Sequence, residues 1–585
     1  MKGTHPYISE RNKLLLLSLL VGLGSGFAAV LLNSLIHLVK HFVDICDSGF
    51  SLRWLYLVLP GMGMLLSLLL LKFLVKDNIG HGVTKVLLAV SRNESRIKTH
   101  NMWSSMLTSS VTIGFGGSVG AEAPIVYTGA AIGSNIGRWF HLSHRNITVL
   151  LGCGAAGAIA GIFKAPLAGV LFTMEILMFN VSMNSMLPML LSTVSATMVS
   201  FLFTGQTPVF QCALTPFSMS NIPFYIILGV VAGLSSLYFM RMTLRMEDRL
   251  GKLSNPYMKW GICALLLGLL IFLFPPLYGE GYDSLHLLLN GEADMLEQGS
   301  PMRFLSGWKW GIPVFLALVF LMKVFSMTFT NAGGGVGGTF GPTLFAGAIL
   351  GFTIARVFNL LLAGTGISIP EQNFALVGMA ALMAAVMQAP MTAIFLIAEI
   401  TGGYALFIPL IIGSTISFAT VRIFEKYSIY TKRIAQSGDL LTHDSDHAVL
   451  TLMKTSELVR DKYPRVSPSQ TLGELVDAIA DSTAAVIAVV DEEGRFCGMI
   501  DIGYVRKALF DVSNYSELHV HDLMESAPDV VSPDEKMESV MTKFDRTEAW
   551  RLPVLDGDGR YLGFISRSRV LTAYRSELKE ITGDD

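Results

Sequence analysis

Two blocks broken by glycine and proline recur in the same order along this chain, and that repeat constrains the fold more than any other feature. Gly117-Ser118-Val119-Gly120-Ala121-Glu122-Ala123-Pro124, with Gly129-Ala130-Ala131-Ile132-Gly133 after it, pairs with Gly335-Val336-Gly337-Gly338-Thr339-Phe340-Gly341-Pro342, with Gly347-Ala348-Ile349-Leu350-Gly351 after it. Further on, Phe163-Lys164-Ala165-Pro166-Leu167-Ala168 through Glu175 pairs with Met387-Gln388-Ala389-Pro390-Met391-Thr392 through Glu399. Both blocks lie among long apolar runs. Irregular backbone at membrane depth survives only where it is buried in protein or lines a cavity. Interrupted segments at matching positions of two halves point to a binding site near the bilayer midplane.

Composition supports the membrane reading. The chain has 585 residues, of which only 15% are charged, and a mean hydropathy of +0.54. That is too apolar for a soluble globular protein. Residues 1–450 hold 27 Lys/Arg and 20 Asp/Glu, whereas residues 451–585 hold 16 and 25. The expected organisation is a membrane domain over 1–436, a linker over 437–451 and a soluble tail over 452–585. Spans are expected at Leu14 to Val43, Leu55 to Val75, Met186 to Phe203, Ile222 to Met240, Trp260 to Phe274 and Trp310 to Phe329. The polar stretch from Tyr278 to Ser306 reads as an extramembrane loop with a short helix. Five cysteines are scattered without metal or disulfide spacing. No cleavable signal peptide stands out at the start. A formal net charge of −2 gives no reason to propose nucleic acid.

Within this apolar part, Glu122 is the only acidic residue between Thr99 and Arg138. An ionisable group at membrane depth costs from about 3 to more than 10 kcal/mol, so by default it reads as functional. Glycines at 114, 116, 117 and 120 let the backbone bend and leave N–H groups uncovered. Pro124 suits a first helical turn, which starts a helix near Glu122 with its positive dipole end there. A glycine loop feeding a helix N-terminus is an anion-binding site, and a carboxylate there can occupy the site itself and be displaced by a free anion.

Positions 12–436 resemble the CLC family of chloride channels and chloride/proton exchangers. The matching segments are Gly80-His81-Gly82-Val83-Thr84, Gly120-Ala121-Glu122-Ala123-Pro124, Gly338-Thr339-Phe340-Gly341-Pro342 and the late Tyr430. The resemblance implies a mostly α, polytopic, inverted-repeat helical bundle with broken helices. It also implies a homodimer in the lipid bilayer with one anion path per subunit. Glu122 would be the outer gate. His81, Gly82, Ala121, Ala123, Thr339, Phe340 and Tyr430 would surround the anion, with the Thr339 and Phe340 amides and the Tyr430 hydroxyl holding a central chloride.

Two departures bear on mechanism. His81 stands where the family usually has a serine aimed at the central anion, and Thr84 replaces the proline of that motif. The histidine either donates N–H to the anion or lies aside; protonated, it would make binding depend on pH. On the proton path, Glu175 matches the glutamate next to the family's inner proton carrier, and Ile176 occupies the carrier's position. Isoleucine carries no proton, so coupling would need water. Glu175 and Glu399, related by the repeat, read better as helix caps or braces.

The tail carries two similar units. Ala484 to Asp491 and Phe496 to Ile500 are strands around a Glu492–Arg495 turn; Arg551 to Asp556 and Tyr561 to Ser566 repeat them around Gly557 to Arg560. Both units resemble a pair of CBS (cystathionine-β-synthase) motifs, about 452–511 and 520–578, in a small α/β domain. Such pairs often bind adenine nucleotides. Here the corresponding ligand positions read Asp501/Tyr504 and Ser566/Arg569, without the ribose aspartate. Lys2, Arg11 and Lys13 before the first span, and Arg422, Lys426, Lys432 and Arg433 around the last, put both termini in the cytoplasm. The expected function is chloride transport in the inner membrane through a path gated by Glu122, coupled to protons. The alternative is a passive chloride channel. Fluoride transport, and a ligand sensor acting through the tail, are lesser rivals. No covalent chemistry, metal or cofactor is expected.

Overall fold

The computed structural model describes residues 10–50, 55–77, 79–80, 82–92, 95–179, 183–210, 214–436, 450, 453–461, 463–480, 482 and 484–582. The chain divides into two compact units, residues 1–440 and 441–585. Apart from Leu450, the expected linker 437–451 lies outside the described residues.

The first unit is helical throughout. Its first half comprises α1 (Glu10–Phe50), α2 (Leu55–Leu69), α3 (Gly82–Arg92), α4 (Ser104–Gly114), α5 (Glu122–Trp139), α6 (His144–Phe163), α7 (Pro166–Glu175) and α8 (Met183–Thr204). The second comprises α9 (Ile222–Gly251), α10 (Pro256–Leu273), α11 (Tyr282–Leu289), α12 (Gly311–Ala332), α13 (Phe340–Leu361), α14 (Glu371–Met387), α15 (Pro390–Ile400) and α16 (Phe407–Phe424), and α17 (Ile429–Gln436) follows. Among the described residues nine helices are long and apolar enough to cross a membrane. Others, such as α7 and α15, are far too short to span about 30 Å of hydrocarbon, and both start at a proline, which suits a first turn.

The halves meet about a local two-fold relation. Gly120 and Gly338 pair as an antiparallel bridge: the Gly120 N–H donates to the Gly338 carbonyl at 3.1 Å, and the Gly338 N–H returns the bond at 2.7 Å. Alongside, the Ser118 N–H donates to the Thr330 hydroxyl at 3.1 Å and the Val336 N–H donates to the Thr112 hydroxyl at 3.0 Å. Equivalent residues of the repeat thus satisfy each other's loop backbone, as buried amides require.

Small residues set the packing behind these loops. A Cβ added at Gly133 on α5 would lie 2.0 Å from the Leu150 carbonyl oxygen of α6, and one at Gly351 on α13 would lie 2.0 Å from the Phe374 carbonyl oxygen of α14. Backbones this close are a feature of membrane helix packing, where van der Waals contact replaces the hydrophobic drive.

In the second unit, β1 (Arg465–Val466) lies parallel to β2 (Val486–Val490), which pairs antiparallel with β3 (Phe496–Asp501). In the other motif β4 (Arg551–Leu555) pairs antiparallel with β5 (Tyr561–Ser566). Asp491 and Asp556 close equivalent turns, each accepting the N–H of an arginine four residues on, Arg495 and Arg560, at 2.7 Å. The Phe496 N–H then bonds the Gly559 carbonyl and the Tyr561 N–H bonds the Gly494 carbonyl, at 3.1 and 3.0 Å. The two motifs therefore dock hairpin to hairpin.

Gly133→Val forces α5 away from α6. Overpacking of this kind costs about 1–3 kcal/mol. The thermal midpoint of the detergent-solubilised protein falls accordingly; an unchanged midpoint would contradict the packing described.

Candidate functional site

Three helices begin at one place. α5 starts at Glu122, α13 at Phe340 and α3 at Gly82. Their approach is tight: a Cβ at Gly82 would lie 2.3 Å from the Ala123 carbonyl oxygen, and one at Gly338 would lie 2.7 Å from the Ala123 Cβ. The glycine bridge between the halves fixes the starts of α5 and α13 side by side. Each helix start carries free N–H groups and the positive end of a dipole. Three together direct the positive ends of their dipoles at one place in a setting of low dielectric.

The Glu122 side chain occupies that spot. The residue is 1% exposed. Its Oε1 accepts the Tyr282 hydroxyl at 2.6 Å, and its Oε2 accepts the Gly341 N–H at 3.2 Å. Gly341 belongs to the first turn of α13, so the carboxylate sits where that helix start would hold a free anion. A Cβ at Gly120 would lie 2.0 Å from Oε2; a glycine is required there for the carboxylate to fold back.

Deeper in, the Thr339 hydroxyl donates to the Tyr430 oxygen at 3.1 Å, with both residues 4% exposed. Thr339 is the residue just ahead of α13. Tyr430 stands at the start of α17, where Ser428 and Thr431 bond each other's backbone and the Lys432–Glu425 ion pair closes the turn at 2.7 Å. Phe340 is 1% exposed and packs against Phe163 and Phe172, with ring centroids 5.7 and 6.0 Å apart. Gly82, Ala121, Glu122, Ala123, Thr339, Phe340 and Tyr430 are therefore gathered around α3, α5, α13 and α17. His81 lies outside the described residues.

The stretch from Tyr278 to Ser306 is not the wholly extramembrane loop its polarity suggests. It holds the expected short helix, α11, but its beginning is folded into the membrane unit. The Gly279 N–H bonds the Gly116 carbonyl at 3.1 Å, the Glu280 carboxylate accepts the Ala121 N–H at 2.9 Å, and Tyr282 reaches Glu122. Lys323, fully buried on α12, also stands here. Its ammonium donates to the Ser118 hydroxyl at 2.8 Å and lies 4.8 Å from the centre of the Phe345 ring. A lone cation in the apolar run Trp310 to Phe329 was the available signal. Glu280 and Tyr282 gave none, because a polar loop looks the same whether it folds inward or outward.

Glu175 and Glu399 are caps, and they cap crosswise. Glu175, at the end of α7, accepts the Met391 and Thr392 N–H groups of α15 at 3.1 and 2.7 Å. Glu399, on α15, accepts the Leu167 and Ala168 N–H groups of α7 at 3.1 and 2.9 Å. Ile176 follows as an aliphatic side chain 2% exposed. In the tail, Asp501 accepts the Gly503 N–H at 2.8 Å and caps its own helix, and the Ser566 hydroxyl accepts the Arg569 N–H at 3.3 Å. Among the described residues no group of three or more His, Cys, Asp or Glu side chains is placed to hold a metal ion.

A bundle of two crossed halves, with helix starts gathered about a buried carboxylate, defines a membrane protein of the anion-path type. The chain belongs to the voltage gated chloride channel family, whose profile matches residues 62–422. It carries two CBS domains, matched at 456–511 and 520–576. It is 26% identical to the putative chloride channel protein ClcB-like of Ralstonia nicotianae, over 72% of this chain and 96% of that protein. It is 26% identical to the chloride channel protein CLC-e of Arabidopsis thaliana, over 92% of this chain and 83% of that one. Among solved structures, a slow cyanobacterial Cl−/H+ antiporter superposes with a TM-score of 0.62 at 25% identity, covering 74% of this chain and 99% of that one.

Glu175→Ala removes the caps of α15 and leaves the Thr392 amide unpaired, at about 1 kcal/mol. A lower thermal midpoint, with the pH dependence of any flux unchanged, is the expected result. A shifted pH profile would instead make Glu175 part of a proton path.

Proposed function

We propose that this chain exchanges chloride for protons across the inner membrane, with Glu122 as the gate. The observation that carries this reading is the Glu122 carboxylate resting on the Gly341 amide at the start of α13. Relatives named as H(+)/Cl(−) exchange transporter ClcA, from Vibrio cholerae at 28% identity over 55% of this chain, support the choice of chloride and protons. Ionised, Glu122 holds the anion position and blocks it. Protonated, it loses its charge-assisted bond to the amide, and chloride takes its place. The Thr339 and Phe340 amides with the Tyr430 hydroxyl then hold chloride one step further in. Only one occupant, carboxylate or chloride, fits the helix start at a time, and that competition links proton binding to chloride movement.

The chain acts as a homodimer in the bilayer, each subunit with its own path and both termini in the cytoplasm. Its tail serves as a paired cytoplasmic module, with Asp501 and Ser566 as helix caps; ATP binding to the tail would count against that role. A second reading has one observation behind it. Ile176 stands where the family's inner proton carrier would be, so protons reach the cytoplasm through water or not at all; in the latter case the chain is a passive chloride channel.

The test uses purified protein in chloride-loaded liposomes, with chloride efflux and external pH recorded together. Exchange predicts protons driven uphill by the chloride gradient, and loss of that pumping in Glu122→Ala. Chloride efflux without proton movement would establish the channel instead.

A further inference from the structure

Beside Glu122 lies a second, half-buried acid whose place in the site is specific. Glu280 puts its Oε1 on the N–H of Ala121, the residue immediately before Glu122. The two carboxylates thus cap neighbouring helix starts: Glu280 takes α5 and Glu122 takes α13. Their settings differ in one respect. Glu280 and Tyr282 line a cavity of about 380 Å³, and Glu122 does not. Tyr282 joins the two, since its hydroxyl bonds Glu122 at 2.6 Å. The cavity opens on the face away from the start of the chain. Lys13 on α1 bonds the Phe140 carbonyl at the end of α5, whereas Lys40 of the same helix lines the cavity, and α1 rises about 40 Å between them.

The charges around this pair can be named element by element. Lys323 of α12 has its ammonium 3.4 Å from the Gly279 carbonyl and 2.8 Å from the Ser118 hydroxyl, between the loops that carry the two acids. From α1 come His37 and Lys40, from the turn after α6 comes Lys164, and from α11 come Asp283 and His286, all on the cavity wall. Lys40 pairs with Asp283, and Lys164 bonds the backbone carbonyls of Thr204, Gly205 and Thr207. Lys323 is therefore the one cation that is fully buried beside the two carboxylates among the described residues. Glu122 is buried and Glu280 is half-buried on the cavity wall, and two carboxylates gathered about one cation favour a proton on one of them.

We propose that Glu280 and Lys323 form a titrating partner to the gate: Glu280 exchanges protons with the outer cavity, and its charge sets the external pH at which Glu122 releases α13. The proposal deepens the exchange reading given above and rests on it. With Lys323 charged, the two acids share one negative charge and one proton, and a like charge nearby favours the protonated form of its neighbour. Glu280 ionised favours protonated, released Glu122; Glu280 neutral favours ionised, closed Glu122.

The test is chloride efflux from liposomes across a series of external pH values, each variant normalised to its own maximum. E122Q should give a flat profile. E280Q removes the neighbouring negative charge, so Glu122 needs more acid to open; its midpoint moves acidic by roughly one pH unit. E280D should return the midpoint towards wild type. K323Q leaves two acids without their cation and moves the midpoint alkaline. Should E280Q fail to reach the membrane, E280A, which removes the same charge, decides the matter by the same acidic shift. A flat E122Q profile, with the charge-removing Glu280 variant and K323Q superimposed on wild type, overturns this proposal and leaves the gate standing. A pH dependence that persists in E122Q overturns the gate reading itself.

Discussion

An antiparallel pair of glycines holds the two halves of the membrane unit together, and the site depends on it. Gly120 and Gly338 exchange both backbone bonds, which is achievable only if neither carries a side chain facing the other loop. A Cβ at Gly338 would strike Ala123, and one at Gly120 would strike the Glu122 carboxylate. From that bridge follow the adjacent starts of α5 and α13, and from those the paired dipoles that make a buried carboxylate tolerable. A helix start attracts an anion through backbone direction more than through side-chain charge.

The same two-fold logic recurs at the crosswise caps. Glu175 and Glu399 bind each other's helix starts, so α7 and α15 lock as a unit through bonds that each half could not make alone. These acids carry a structural load. Glu122 and Glu280 also cap helix starts, but at the junction of the glycine loops, one of them against the cavity of about 380 Å³ and both near Lys323. The two pairs are chemically alike and differ in what surrounds them: a helix-to-helix seam in one case, a cavity wall and a buried cation in the other.

Much of this was legible in the sequence, for physical reasons. Gly and Pro mark where a helix starts, so the start of α5 near Glu122 was readable, and the repeat marked the equivalent blocks that open α7, α13 and α15. Glu122 stood out because no other acid lies near it in an apolar run. Thr339, Phe340 and Tyr430 came through the family resemblance, and the structure brings them together at the start of α13. The capping role of Glu175 and Glu399 was readable; their crossed partners were not, since each bond spans more than two hundred residues. Tyr282 and Glu280 were missed because their partners, Glu122 and Ala121, lie about 160 residues away, and nothing in a polar loop tells which way it folds. Lys323 was not singled out either: in the sequence it is one charge in an apolar run, and its burial beside the two acids appears only in the structure.

Whether the Glu122 carboxylate occupies an anion site at the start of α13 is tested with crystals of the wild type and of Glu122→Ala, soaked in the same bromide concentration and read by anomalous scattering. A bromide is expected beside the Gly341 amide in Glu122→Ala, at the place the carboxylate holds in the wild type. Absence of bromide there in the variant, with the helix start unchanged, would contradict that occupancy.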